Sequence, residues 1–235
     1  MNARDEVLAR MRASLRSRSL TRPDASACPC QALDRERLGR IFAEEAASQG
    51  CVVHRAAGPT DVGRILDGLV TGWGISTIAL SDDEVVRGLV ACSWAARTSV
   101  GIVRACGFSD RDTLREAVFG VDASLTGADV AAAESGTVVM CHRGDLPRLL
   151  TVAPPCHIVL VPTDRIVMDL ETAVRKGQEL LMDEGGQVCL ITGPSSTSDI
   201  QAVHFKGMHG PEKVAVILVE MAPECRELDT LKEGA

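Results

Sequence analysis

Apolar residues recur at helical spacing across residues 33–50. Leu38, Ile41, Phe42 and Ala46 share one face there, and Gly50 supplies a stop. The pattern then alternates. A short strand is expected over residues 51–54, a helix over about 60–70, a strand over 76–80 and a helix from Asp82. Asp82 and Asp83 suit the positive end of that helix. Residues 100–105 read as a strand, and Ser109 as the cap of a helix reaching Val118. Strands alternating with helices imply parallel β-α-β units. The second half is denser in strands, expected over residues 121–126, 137–141, 157–161, 188–192 and 213–220. Most are almost continuous apolar runs, the mark of strands covered on both faces. A helix is expected over about 169–182, with Leu170, Ala173, Val174, Gly177 and Leu181 on one face and Gly185-Gly186 ending it. The expected fold is α/β, with a central sheet flanked by helices.

The amino-terminal segment differs in kind. Six arginines fall in its first 22 residues, which superficially resembles a transit peptide. Val7, Leu8, Met11 and Leu15 nevertheless lie at helical spacing, with arginines on the other face, so an amphipathic helix is expected. Residues 21–32 contain Pro23 and Pro29 among small polar residues and read as a linker. The chain thus divides into a helical arm and linker over 1–32 and an α/β body over 33–235.

Composition narrows the function. The chain has 235 residues, 46% hydrophobic and 24% charged, enough for a sizeable core. Its formal net charge of −7 makes nucleic acid a poor partner, and with 3% aromatics a base-stacking platform has little to work with. The strongest apolar stretch, residues 149–161, is broken by Pro154-Pro155 and falls short of the roughly 20 residues of a membrane span. With no apolar signal-peptide core, the expected compartment is the cytoplasm. Nine cysteines are scattered, several within apolar runs, and no Cys-x-x-Cys occurs. Reduced, mostly buried thiols are expected, and neither a metal centre nor a disulfide framework. Cys28-Pro29-Cys30 is a close pair whose role the sequence leaves open.

Four loops next to strands carry the candidate chemistry. One holds Asp129, then Glu134, Ser135, Gly136 and Thr137. A second is Pro154-Pro155-Cys156-His157. A third runs Thr192-Gly193-Pro194-Ser195-Ser196-Thr197-Ser198-Asp199, and a fourth holds His209, Gly210 and Pro211. The third presents backbone N–H groups and four hydroxyls between Gly193 and Asp199, a composition suited to a phosphate or carboxylate. It lacks the spacing and lysine of a Walker A loop. Glu134 is either a base or nucleophile or a solvated turn residue. His157 and His209 are either orienting groups or structural ones. The expectation is one crevice at the strand ends, with Glu134, His157 and His209 catalytic. Asp129, Ser135, Gly136, Thr137, Gly193, Pro194, Ser195, Thr197, Asp199 and Gly210 would bind a small anion.

Taken in order, the motifs resemble the lactate-utilisation (LUD) domain family. They are Thr126-Gly127-Ala128-Asp129 with Ala133-Glu134-Ser135-Gly136-Thr137, Pro154-Pro155-x-His157-Ile158, Val161-Pro162-x-Asp164-Arg165-Ile166-Val167, Ile191-Thr192-Gly193-Pro194-Ser195-x-Thr197-x-Asp199-Ile200 and Gly207-x-His209-Gly210-Pro211. The opening Arg4-x-Glu6-Val7-Leu8-Ala9-Arg10-Met11-Arg12 also resembles that family's first helix. Ser135 stands where threonine is common in it, and Ser196 where arginine is common. The resemblance implies an architecture like the NagB/RpiA/CoA-transferase group, with a mixed central sheet flanked by helices. It also implies a part in oxidising L-lactate to pyruvate beside iron–sulfur subunits. The ligand would be a small carboxylate, phosphate or acyl-CoA type; related folds use a glutamate on a comparable loop to form an acyl–CoA adduct. The other reading is a non-catalytic accessory subunit that docks the iron–sulfur partners.

Overall fold

The computed structural model describes residues 34–91, 94–108, 110–142, 148–182, 186–198, 204–206 and 209–220. Its helices are α1 (Arg35–Ser48), α2 (Pro59–Trp73), α3 (Glu84–Val86, continued by a π-helical turn over Arg87–Ala91), α4 (Arg111–Phe119), α5 (Leu149–Val152) and α6 (Leu170–Glu179). Its strands are β1 (Val52–Ala56), β2 (Thr77–Leu80), β3 (Gly101–Arg104), β4 (Ala123–Gly127), β5 (Val130–Ala132), β6 (Thr137–His142), β7 (Cys156–Pro162), β8 (Ile166–Val167), β9 (Gln187–Ile191), β10 (Ser196–Ser198), β11 (His204–Lys206) and β12 (Lys213–Val219). Both the arm over 1–32 and the Cys28–Cys30 pair lie outside the described residues.

Aspartates start four helices. Asp34 accepts from the Arg37 N–H at 2.7 Å, Asp83 from Val86 at 2.9 Å, Asp110 from Thr113 at 3.0 Å and Asp169 from Thr172 at 2.7 Å. Each satisfies an otherwise orphaned donor and places negative charge at a positive helix end. The cap of α4 is therefore Asp110, whose carboxylate accepts the Thr113 N–H, while Ser109, the cap expected from the sequence, lies outside the described residues. At α6 the helix stops at Glu179, ahead of the diglycine expected to end it.

The central sheet has strand order β1-β12-β7-β4-β2-β3, with every pair parallel. One face of β7 and β12, carrying Ile158, Leu160, Ala215 and Ile217, packs on Val62, Leu66 and Leu69 of α2 and on the buried Trp94. The other face, carrying Val159, Val161, Val214 and Val216, packs on Phe42 and Ala46 of α1 and on Val138 and Met140 of β6. This is the expected α/β layering of a sheet between helices.

A second sheet has order β8-β5-β6-β9, with β5–β6 and β6–β9 antiparallel and β5–β8 parallel. β6 and β9 belong there and not among the central strands. β6 reads as a continuous apolar run because both its faces are covered: Val138 and Met140 face the α1 cluster, while Val139 packs with Ala173 of α6. β9 lies at the sheet's edge, and its Leu190 is 45% exposed. A two-stranded antiparallel pair, β10 with β11, completes the strands described.

Candidate functional site

The carboxyl ends of β2 and β4 meet at a point where the chain changes direction across the sheet. From β2 the chain steps outward to β3, and from β4 it moves on to β7 on the opposite side. Neighbouring parallel strands whose connections diverge leave a crevice at their carboxyl ends. A cleft of about 540 Å³ lies there. It is lined by the loop after β2 and the start of α3 (Ser81 to Glu84, and Arg87), by Thr126, Gly127 and Asp129 at the end of β4, by Met140, Cys141 and His142 of β6, and by Arg165.

Its acidic groups are mostly engaged. Asp83 accepts from the Gly127 N–H at 2.8 Å and from the Ser81 hydroxyl, in addition to capping α3. Gly127 permits this approach, since a Cβ there would lie 2.3 Å from Asp83 Oδ1. Glu84 forms an ion pair with Arg165, whose Nη1 also donates to the Ala128 carbonyl at 2.9 Å. Asp129 accepts from the Cys141 N–H at 2.7 Å. Arg87 and Asp82 form a looser pair at 3.5 Å, both well exposed. Such a pair is worth little and gives way readily to a better-placed anion.

Two histidines stay neutral beside these groups. His157 is completely buried on β7, and burial pushes its imidazole down to about 4, with the neighbouring His142 adding to the effect. Its Nε2 lies 2.8 Å from Thr126 Oγ1, on the cleft floor. Burial lowers His142 in turn, helped by the charge of Arg148.

The residues expected to share one crevice are distributed over the fold. Asp129 lines the cleft, and His157 stands behind it through Thr126. Glu134 is turned to the start of α6, where its Oε1 accepts from the Leu170 N–H at 2.9 Å. Ser135, Thr137 and Thr192 form a chain of hydroxyls, each link 2.8 Å long. Gly136 adopts φ +60°, and a Cβ there would lie 2.3 Å from the Ala46 nitrogen; a Cβ on Gly193 would lie 2.5 Å from the Gln49 carbonyl. Both turns, with Pro194 beside Gly50, therefore pack on the carboxyl end of α1. Ser195 donates its N–H to the Pro211 carbonyl at 2.8 Å and lies against Gly210. His209 and Gly210 line a separate hollow of about 350 Å³ with Phe119, Pro155 and Glu212. That hollow is at the amino ends of β7 and β12, the opposite edge of the sheet. Thr197 lies on β10, paired through its backbone with Phe205, and Asp199 lies outside the described residues.

Loop chemistry thus missed most of the cleft. The available signal was the run Ser81-Asp82-Asp83-Glu84 directly after an apolar strand, together with Arg165 after another. Among the described residues, no group of three or more His, Cys, Asp or Glu has the arrangement of a metal site.

Comparison with known proteins places these features in a family. Residues 39–219 match the family model of the LUD domain. "Lactate utilization protein C" of Deinococcus radiodurans is 41% identical over 102 residues, which are 42% of this chain and 46% of that protein. "Lactate utilization protein C 1" of Bacillus mycoides is 31% identical over 160 residues, 66% of this chain and 68% of that one. The match thus spans about half the length of the first relative and two thirds of the second. A crystal structure of a DUF162 family protein from Deinococcus radiodurans superposes with a TM-score of 0.60 at 23% identity, covering 80% of this chain and 99% of that one. At that identity the likeness is one of fold.

Proposed function

The chain belongs to the LUD domain family, and we propose on that premise that it serves lactate utilisation by binding a small carboxylate in the cleft between β2 and β4. Relatives named for lactate utilisation support the pathway. The observation that carries the site is Arg87 at a strand-end cleft of ligand size, where a loose, exposed pair with Asp82 is its one ion pair among the described residues. Arginine takes a carboxylate through two parallel N–H donors, and Arg165, fixed by Glu84 and the Ala128 carbonyl, adds a second cation in a set position.

The protein works in the cytoplasm, beside iron–sulfur subunits that carry the electrons of L-lactate oxidation. Burial raises the thiols of Cys51, to about 11, of Cys156 and of Cys189, which opposes the thiolate form that cluster ligands need. Among the described residues no helix is long and apolar enough to cross a membrane.

Calorimetric titration of the purified protein with L-lactate and with pyruvate tests the site. Binding by the wild type that weakens at least tenfold in Arg87→Gln is the expected result, and exposed Arg87 can be changed without disturbing the core. Binding equal in the two proteins refutes the role of Arg87. Binding of neither acid by the wild type refutes the cleft reading and favours an accessory, docking role. Loss of growth on L-lactate in a strain lacking the protein tests the pathway.

A further inference from the structure

Thr126 is only 1% exposed, yet it forms part of the cleft floor. Among the described residues its hydroxyl has two hydrogen-bond neighbours: His157 Nε2 at 2.8 Å and Met140 Sδ at 3.8 Å. His157 is wholly buried, and among the described residues its Nδ1 has no partner. A neutral imidazole carries one N–H and one lone pair. A hydrogen on Nδ1 would be a buried donor without an acceptor, which native proteins tolerate less well than an unfilled lone pair. The hydrogen therefore belongs on Nε2, where it donates to Thr126 Oγ1. The hydroxyl hydrogen of Thr126 must then turn away from the ring. The acceptor it finds is a thioether sulfur, which is a weak one.

We infer that Thr126 is a specificity-determining hydrogen-bond donor of the cleft, poised for the carbonyl oxygen of a 2-oxo carboxylate, with His157 as the positioning residue that orients it. This rests on the reading that the cleft takes a small carboxylate. A ligand carbonyl replaces the sulfur as acceptor and gives the hydroxyl hydrogen a strong partner. A 2-hydroxy acid offers an oxygen too, but it brings a hydrogen of its own that needs a further acceptor. At Thr126 itself the oxo acid is therefore favoured over the hydroxy acid of the same carbon skeleton, whose own hydrogen would have to reach one of the cleft carboxylates.

The test uses the full-length protein, pyruvate and L-lactate as probes, and the variants Thr126→Val, which removes the hydroxyl, and Thr126→Ser, which keeps it. Pyruvate affinity is expected to fall about tenfold in Thr126→Val, to recover in Thr126→Ser, and to change more than lactate affinity does. Nitrogen-15 spectra of the imidazole are expected to show His157 protonated on Nε2 and bare on Nδ1, with the Nε2–H resonance moving when pyruvate is added. A proton on Nδ1 overturns the proposal, as does a Thr126→Val protein that binds pyruvate like the wild type while the wild type responds to Arg87→Gln. Absence of any binding by the wild type overturns the cleft reading and this proposal together. If Thr126→Val fails to fold, the His157 spectrum and its response to pyruvate decide.

Discussion

Acid should weaken this fold through His157 before it titrates the carboxylates. In the unfolded chain the imidazole takes a proton near 6.5, whereas in the fold burial holds that step down to about 4. Between those values the unfolded state binds more protons, so stability rises with pH across the window and falls as pH drops through it. Above 6.5 both states are neutral and the residue adds no pH dependence. Below 4 the loss is complete. A gap of that width corresponds to about 3 kcal/mol in total, and to about 2 kcal/mol by pH 5. His142 and His54 shift in the same direction because they too are partly buried, and they add smaller losses of the same sign. Urea unfolding of the wild type and of His157→Gln at pH 7.5 and pH 5 isolates the effect, since other acid-sensitive groups are common to both proteins. The variant is less stable at pH 7.5, but its further loss on going to pH 5 should be smaller than the wild type's by about 2 kcal/mol, roughly thirtyfold in the folding constant. Equal losses in the two proteins, or a His157 ring resonance that titrates near 6.5, would refute the reasoning.

Gly136→Ala should cost about 3 kcal/mol in chemical unfolding, since it adds a left-handed backbone to a Cβ that collides with the Ala46 nitrogen. Gly74→Ala, at φ +69° but with nothing within 4 Å, should cost only about 1 kcal/mol, so equal costs would show that backbone conformation alone matters. Asp110→Ala and Glu134→Ala each remove a carboxylate acceptor from a helix start and should lower stability by about 1 kcal/mol, with pyruvate titrations unchanged; a loss of binding in Glu134→Ala would return that carboxylate to the site. Removal of residues 1–32, which end in a proline-bearing polar linker, is expected to leave a cooperative thermal transition near that of the full chain, and a non-cooperative product would show that the arm completes the core.

The strands of the central sheet were legible because burial on two faces leaves little room for polar residues. β7 and β12 run apolar at almost every position for that reason. The same signal misplaced β6, which is covered on one side by α1 and on the other by α6, within a different sheet. An apolar run reports that two faces are covered and says nothing about which strands lie beside it. Glycine in a loop is ambiguous in a similar way. Gly136 and Gly193 looked like places for a ligand to approach the backbone. In the fold the close approach is made by the carboxyl end of α1. The carboxylate of Glu134 is likewise used by a helix N–H that is distant in sequence, at Leu170. These pairings are tertiary, so residue type and local spacing could not separate them from chemistry.

The cleft itself follows from strand order, which no single loop encodes. β2 and β4 are neighbours although β3 lies between them in sequence, and their outgoing connections diverge. That divergence opens the crevice, and three local choices then furnish it. Gly127 lets the Asp83 carboxylate reach a backbone N–H, so the start of α3 is tied to the end of β4. Arg165, at the end of the segment following β7, anchors on the carbonyl of Ala128 and on Glu84, so the third strand edge is joined to the same point. Thr126 lies between the buried imidazole of His157 on the neighbouring β7 and the Met140 sulfur on β6 of the second sheet. The first two contacts hold the walls in place through paired polar groups. On the tautomer inferred above, the third leaves a buried donor beside a weak thioether acceptor, and a donor so placed at a strand-end crevice is the physical reason to look for a carbonyl oxygen there.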